Sequence, residues 1–150
     1  MNKEVFNKKH IIFDTEAKTQ QEAFKTIAKV AFEAGYVASS EEFYEGLVQR
    51  ESETTTGFKD GIAIPHSKHL TVQKPGMFLV KFSNSINWNA LDNKPVKVAF
   101  ALTIPEAGAK EHLKLLSSIA RKLIDDEFRN GVCEENDPVK LTEIIEQIQF

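Results

Sequence analysis

Among the side chains of this 150-residue chain that could do chemistry, His66 has the most distinctive setting. It closes the run Gly61-Ile62-Ala63-Ile64-Pro65-His66, which reads as a strand halted by a proline. Pro65 cannot donate to a sheet ladder and fixes its own φ, and it keeps Ile64 extended, so the imidazole is mounted rigidly at the rim of a sheet. A neutral imidazole nitrogen is a competent nucleophile near pH 7, and a phosphorylated imidazole stays reactive enough to pass the group onward. Such a relay needs a rigid mount, since a misplacement of about 1 Å can cost roughly a hundredfold in rate. A histidine after proline is nevertheless more often an ordinary surface or turn residue, and the spacing alone does not decide between the two.

The other chemically capable residues each have a plain reading beside the functional one. His66 and His69 form an H-x-x-H pair, but a zinc site needs further ligands, and three residues of extended or turning chain do not bring both rings to one face. His69 is expected in the loop that follows. A metal-dependent hydrolase built on His66, His69 and His112 is the weakest of the readings. His112 falls in the first turn of a helix, where free amides and the dipole favour a nearby anion, and where a solvent-facing histidine is also ordinary. Arg50 sits near a helix C-terminus, where a cation stabilises without any further role, yet a guanidinium can also fork onto phosphate oxygens. Thr55 and Thr56 offer hydroxyls to a phosphate, or simply bond the local backbone. Cys133 is followed by Glu134 and Glu135, which disfavour a thiolate, and it reads as an idle or buried thiol. Trp88, in a turn-rich stretch between two apolar strands, reads as a core or edge anchor.

The elements that must hold these residues are marked by pattern. Ile11-Ile12-Phe13 is a short strand, and Thr19-Gln20-Gln21-Glu22 is a capping box opening a helix along Phe24, Ile27, Ala28 and Ala31 to a stop at Gly35. A second box, Ser39-Ser40-Glu41-Glu42, opens a helix with Phe43, Leu47 and Val48 on one face, ending near Arg50. Met77 to Phe82 and Val96 to Ile104 are apolar and β-branched enough for central strands. Leu113, Leu116, Ala120 and Leu123 mark a helix from about Lys110, and Asp137-Pro138 caps a last one expected to end at Gln149. Helices before and after buried strands imply an α/β/α sandwich with a mixed sheet flanked by helices on both sides.

The chain reads as a single domain, residues 1–150, without repeat or linker. Nineteen basic and 22 acidic residues leave a net charge of −3, which argues against a nucleic-acid binder, whose affinity depends on clustered cations. The longest apolar run, Val98 to Leu102, is five residues, far short of the roughly 20 that span a membrane, and the polar start lacks a signal peptide's apolar stretch. One cysteine can form no internal disulfide, which fits a reducing compartment, so the expected location is cytoplasmic.

Three separated blocks closely resemble the fructose-mannitol family of enzyme IIA domains (type 2 EIIA) of the bacterial sugar phosphotransferase system. Arg50-Glu51, Thr55-Thr56-Gly57 and Gly61 to His66 are similar to its phosphorylation-site signature; Ile86-Asn87-Trp88 with Asp92, Pro95 and Val96 is similar to its approach to the central strand; Glu111-His112-Leu113-Lys114-Leu115-Leu116 carries its second histidine. The resemblance implies a cytoplasmic phosphocarrier whose His66 accepts a phosphoryl group from the phosphohistidine of HPr and donates it to a cysteine of an enzyme IIB partner, for sugar uptake. It implies that His112 lies beside His66 and donates to the phosphoryl oxygens, that Arg50 lies near both, and that Thr56 contacts the phosphate. No metal or organic cofactor is implied, and a membrane IIC permease is approached only through IIB. The alternative within the same family is a regulatory, nitrogen-related IIA protein whose phosphorylation state controls its partners. Two positions depart from the family pattern: Lys59 stands where a second glycine is common, and Ser67 where glycine or alanine is common after the histidine.

Overall fold

In chain order the elements are strand β1 (Ile11–Asp14), helices α1 (Gln20–Glu33) and α2 (Ser40–Glu53), strands β2 (Ile62–Ala63), β3 (His66–His69), β4 (Gly76–Ile86) and β5 (Val96–Pro105), and helices α3 (Ala109–Lys122), α4 (Asp126–Glu134) and α5 (Pro138–Ile145), in a computed structural model that describes residues 2–148. The two long strands, β4 and β5, pair antiparallel at the centre; β1 runs parallel along the far side of β4, while β2 and β3 both run parallel along the far side of β5.

Strand alternation divides the core into two halves. Phe78 and Val80 of β4, with the small Ala99 and Ala101 of β5, face α1 and α2 and pack against Phe24, Ile27, Phe43 and Leu47. Met77 and Leu79, with Val98, Phe100 and Leu102, face the other three helices and meet Leu115, Ile119, Phe128 and Leu141. The mixed sheet is therefore covered on both faces, and the expected α/β/α sandwich is the observed one.

The N-terminal capping box forms in full, with Glu22 N–H donating to Thr19 Oγ1 at 3.1 Å and Thr19 N–H donating to Glu22 Oε1 at 3.2 Å. Several sequence expectations need correction. Helix α2 continues past Arg50 to Glu53, which leaves Arg50 inside its last turn, and Val48 is exposed rather than sharing the buried face of Phe43 and Leu47. Helix α3 turns Leu115, Ile119 and Leu123 inward and leaves Leu113 in solvent, because i, i+4 spacing along 115, 119 and 123 is the stripe that meets Phe100 and Leu102. Helix α4 adds to the elements that the sequence pattern marks. It is capped by Asp125, whose carboxylate accepts from Glu127 N–H at 2.9 Å, and it buries Phe128 and Val132 one turn apart. Helix α5 starts at Pro138 as expected and ends at Ile145; the expected terminus, Gln149, lies outside the described residues.

Candidate functional site

The mount of His66 differs in one respect from a strand halted by a proline. Ile62 and Ala63 of β2 pair with Val98 and Ala99, and His66 of β3 pairs with Leu102, with the same register offset on both sides of Pro65. Pro65 removes one ladder donor, but its carbonyl still accepts from Leu102 N–H at 3.0 Å, so the strand resumes instead of ending. His69 consequently closes β3 and does not lie in the following loop.

Register partners share a face, so His66 stands with Leu102 on the α3 side of the sheet, as Ile62 and Ile64 do. Ser67 and His69 point to the α2 side, where Ser67 is buried against Gly46. The His69 Nδ1 atom accepts from Thr71 N–H at 2.9 Å. The H-x-x-H pair is thus split between opposite faces, and among the described residues no group of three or more His, Cys, Asp or Glu is placed to hold a metal ion.

His66 is half-buried, and its Nδ1 lies 2.7 Å from the carbonyl oxygen of Ile64. A carbonyl oxygen can only accept, so Nδ1 carries the proton and donates it, and Nε2 is left with its lone pair. The imidazole is held below the ordinary histidine pKa: burial is the largest cause and the charge of Arg50 adds to it, against the Ile64 hydrogen bond and the charges of Glu51 and Glu53. Near neutral pH the ring is a neutral base with a bare Nε2.

Arg50 projects from the last turn of α2, with Nη1 donating to Thr54 O at 2.9 Å, and it lines a groove of about 270 Å³ beside β3 together with Gly46, Glu53, Ser67 and Lys68. His112 lies in the first turn of α3, half-buried, with its ring folded back over the left-handed N-cap Gly108, where a Cβ would come 3.6 Å from its Nε2. Helix α3 follows β5 and packs on the face that His66 shares, yet no direct hydrogen bond joins the two imidazoles among the described residues.

Thr56 is placed differently from the expected phosphate contact. It is buried; its hydroxyl donates to Glu51 Oε1 at 2.6 Å and accepts from the Trp88 indole N–H at 3.2 Å. The one hydroxyl proton is therefore already given away, and a phosphate oxygen would have none to receive. Trp88 is the buried anchor that its position suggested. Glu51 belongs to the matching block but is given no role by it: its carboxylate also accepts from Thr56 N–H at 2.7 Å, closing the loop after α2. Nothing in the local spacing signals that a carboxylate reaches five residues onward to do this.

Cys133 lies in α4, its Sγ 3.8 Å from Asp60 O, next to Lys81 and near Lys97. Its thiol is pushed above the ordinary value chiefly by burial, with Asp60 and Glu134 adding to this and Lys81 and Lys97 opposing it. Burial, more than the acidic neighbour Glu134, keeps this thiol protonated. Lys97 near the start of β5 and Leu102 beside His66 are separated by roughly 17 Å of strand, so the thiol and the imidazole occupy opposite ends of the sheet.

Residues 4–148 match the family model described as phosphoenolpyruvate-dependent sugar phosphotransferase system, EIIA 2. The chain belongs to that family. Proteins of the EIIA type act in phosphoryl transfer, and this EIIA is 31% identical over 130 residues to the fructose-specific EIIA component of Haloferax volcanii, a match covering 87% of this chain and 84% of that protein. Among solved structures, the nitrogen regulatory protein IIA-Ntr from Neisseria meningitidis superposes with a TM-score of 0.86 at 27% identity, over 95% of this chain and 97% of that one. The enzyme IIAMTL of Escherichia coli, in its complex with phosphorylated enzyme IIBMTL, superposes with a TM-score of 0.79 at 17% identity, over 95% and 97% of the two chains, a likeness of fold. In the described part of this EIIA no helix is long and apolar enough to cross a membrane.

Proposed function

We propose that this EIIA is a phosphocarrier that takes a phosphoryl group on Nε2 of His66 from the phosphohistidine of HPr and gives it to a cysteine of an enzyme IIB partner during sugar uptake. The observation that carries the reading is the Nδ1–H hydrogen bond to Ile64 O, which leaves Nε2 of a neutral ring as the available nucleophile. In the first transfer the Nε2 lone pair forms a bond to phosphorus while the nitrogen–phosphorus bond of the donor breaks, and the donor imidazole takes a proton from solvent. In the second, a thiolate attacks the same phosphorus and Nε2 leaves with its electron pair. Transfer of this kind is governed by positioning and by fixed positive charge. Arg50 supplies that charge and His112 a hydrogen bond to the phosphoryl oxygens; Thr56 acts through its contacts with Glu51 and Trp88. The roles require no metal or organic cofactor and no nucleic acid, and any IIC permease is reached through IIB.

The test is a mixture of the protein with enzyme I, HPr and phosphoenolpyruvate, followed by a search for an acid-labile phosphoryl adduct. His66→Ala should abolish labelling while the fold persists, and His112→Ala and Arg50→Ala should still be labelled, but more slowly. Labelling that survives in His66→Ala, or normal rates in both other variants, would overturn these assignments.

A regulatory, nitrogen-related role is favoured by the 0.86 TM-score to IIA-Ntr at 27% identity. Both readings share the phosphorylated His66 and part at the next step. Passage of label from the protein to an IIB thiol supports the uptake reading, whereas stable label with phosphorylation-dependent capture of a non-transport partner supports regulation.

A further inference from the structure

We propose that Glu51 is a positioning residue for phosphoryl transfer: through Thr56 and the backbone of Ile64, its carboxylate fixes the ring tautomer of His66. This rests on the reading of His66 as the phosphoryl acceptor. The carbonyl that orients His66 belongs to Ile64, and Ile64 lies in the gap between β2 and β3. Its N–H donates to Thr56 O at 2.9 Å and not to β5, so the loop, rather than the sheet, anchors the residue whose carbonyl, on the peptide that follows, receives the imidazole proton. Thr56 in turn is gripped at two atoms by one carboxylate, with Oε2 at 2.7 Å from its N and Oε1 at 2.6 Å from its Oγ1, while the Trp88 indole holds the same hydroxyl at 3.2 Å.

A continuous path of short hydrogen bonds therefore runs from a rigid helix to the reactive ring: Glu51 of α2, Thr56, Ile64, His66. The charged acceptor makes its two links the strongest kind available to the loop. The loop is also packed closely on the turn after β4, since Gly57 approaches Ala90 so nearly that an added Cβ would fall 2.6 Å from Ala90 Cα. Arg50 cannot replace Glu51, since its Nη1 is directed at Thr54 O and donates where Thr56 needs an acceptor. Were the Glu51 grip lost, Ile64 O could swing away from Nδ1, the ring could exchange its proton between nitrogens, and part of the population would present a protonated Nε2 with no lone pair for phosphorus.

The variants to make are Glu51→Ala, Thr56→Val and Thr56→Ser. The tautomer of His66 is read by nitrogen-15 NMR on the unphosphorylated protein, and transfer from phospho-HPr is read in single turnovers as separate maximal rate and half-saturation. Glu51→Ala and Thr56→Val should show a mixed tautomer and a maximal rate lower by about tenfold or more, the loss typical when a partner that orients a functional imidazole is removed, with half-saturation little changed. Thr56→Ser, which keeps the hydroxyl, should restore both readouts. If Glu51→Ala does not fold, Glu51→Gln takes its place; it retains one acceptor and should give a smaller change of the same sign. A folded variant with the wild-type tautomer overturns the proposal, whether its rate falls or not. Failure of the wild-type protein to be labelled at His66 would overturn the phosphocarrier reading instead, and the tautomer measurement, made without phosphate, would stand apart from it.

Discussion

An imidazole that must accept and then release a phosphoryl group needs one nitrogen occupied and the other bare, and it needs to be neutral when the donor arrives. His66 meets both needs through burial, Ile64 O and the adjacent guanidinium. Because its pKa lies below the ordinary histidine value of about 6.5, acceptance of phosphate should be flat through neutral pH and should decline only as pH falls through that depressed value. Removal of the neighbouring cation in Arg50→Ala should raise the midpoint of His66 in an NMR titration, since Arg50 is one of the causes that lower it. A midpoint unchanged or lowered in that variant would show that Arg50 does not act on the ring. The two neighbours of opposite sign, Arg50 and Glu51, are consecutive in sequence but diverge in space, one turned to Thr54 and the other to Thr56. Their charges act on His66 in opposite directions, as smaller influences beside its burial and its bond to Ile64 O.

That helix end reaches β3 because α2 carries a glycine where the two meet. A Cβ on Gly46 would lie 2.5 Å from Ser67 Oγ and 3.4 Å from His69 Cδ2, so the helix cannot sit this close with any larger residue in place unless Ser67 gives way. Gly46→Ala gains about 1 kcal/mol of intrinsic helix preference but meets that overlap, and overpacking costs typically about 1–3 kcal/mol. In denaturant melts Gly46→Ala should therefore destabilise the protein, and the same substitution in a Ser67→Ala background should be neutral or stabilising. Equal effects in the two backgrounds would show that the hydroxyl is not what limits the approach. Ser67, noticed in the sequence only as a departure from the family pattern, thereby acquires a physical partner. What the sequence revealed and what it hid divide along the same line. The capped helices α1 and α2 and the two central strands carry their signals within a few residues; Pro65-His66 marks the mount just as locally, but not that the strand resumes beyond it in the same register. Helix α3 holds Leu113, Leu115 and Leu116 together, which allows two competing apolar stripes, and only the sheet beneath decides between them. Strand β4 runs on to Ile86 through Ser83-Asn84-Ser85, whose polarity hides the extension. The link of Trp88 to Thr56 spans 32 residues, beyond any local pattern, so the support around His66 is hidden although the histidine itself stands out.

Across the whole molecule, two histidines, His10 buried and His66 half-buried, tie stability to pH in the same sense. His10 is 4% exposed, stacks on Phe78 at 4.4 Å between ring centroids, and directs Nδ1 at Val5 O and Met77 O, 3.1 and 3.0 Å away, which pins the N-terminal segment to the sheet. Burial lowers its pKa most and Lys74 adds to this, while the two carbonyl bonds oppose it. For His10 and His66 alike the folded state binds a proton less readily than the unfolded chain. Their contribution is therefore complete above about pH 6.5, the unfolded value, and is lost as pH falls from there through the depressed folded values. Melting temperatures measured between neutral pH and pH 5 should decline, and His66→Ala should retain the part due to His10; a flat profile in that variant would count against His10 as an acid-sensitive clasp. A different consequence follows from the position of β2 and β3 on the outer side of β5. A sheet margin with free main-chain donors and acceptors is a template on which a strand of another chain can grow, and long flat margins invite fibrous association. Here the margin comes in pieces of two and four residues with Pro65 between them and the exposed Lys68 within the second. Pro65 O accepts from Leu102 N–H, so its missing donor faces β5. The margin along β2 is taken instead by the loop after α2, where Phe58 N–H donates to Ile62 O at 2.8 Å and Thr56 O accepts from Ile64 N–H at 2.9 Å. The His66 ring thus stands at the rim of a sheet that leaves a foreign strand only the four residues of β3 to copy.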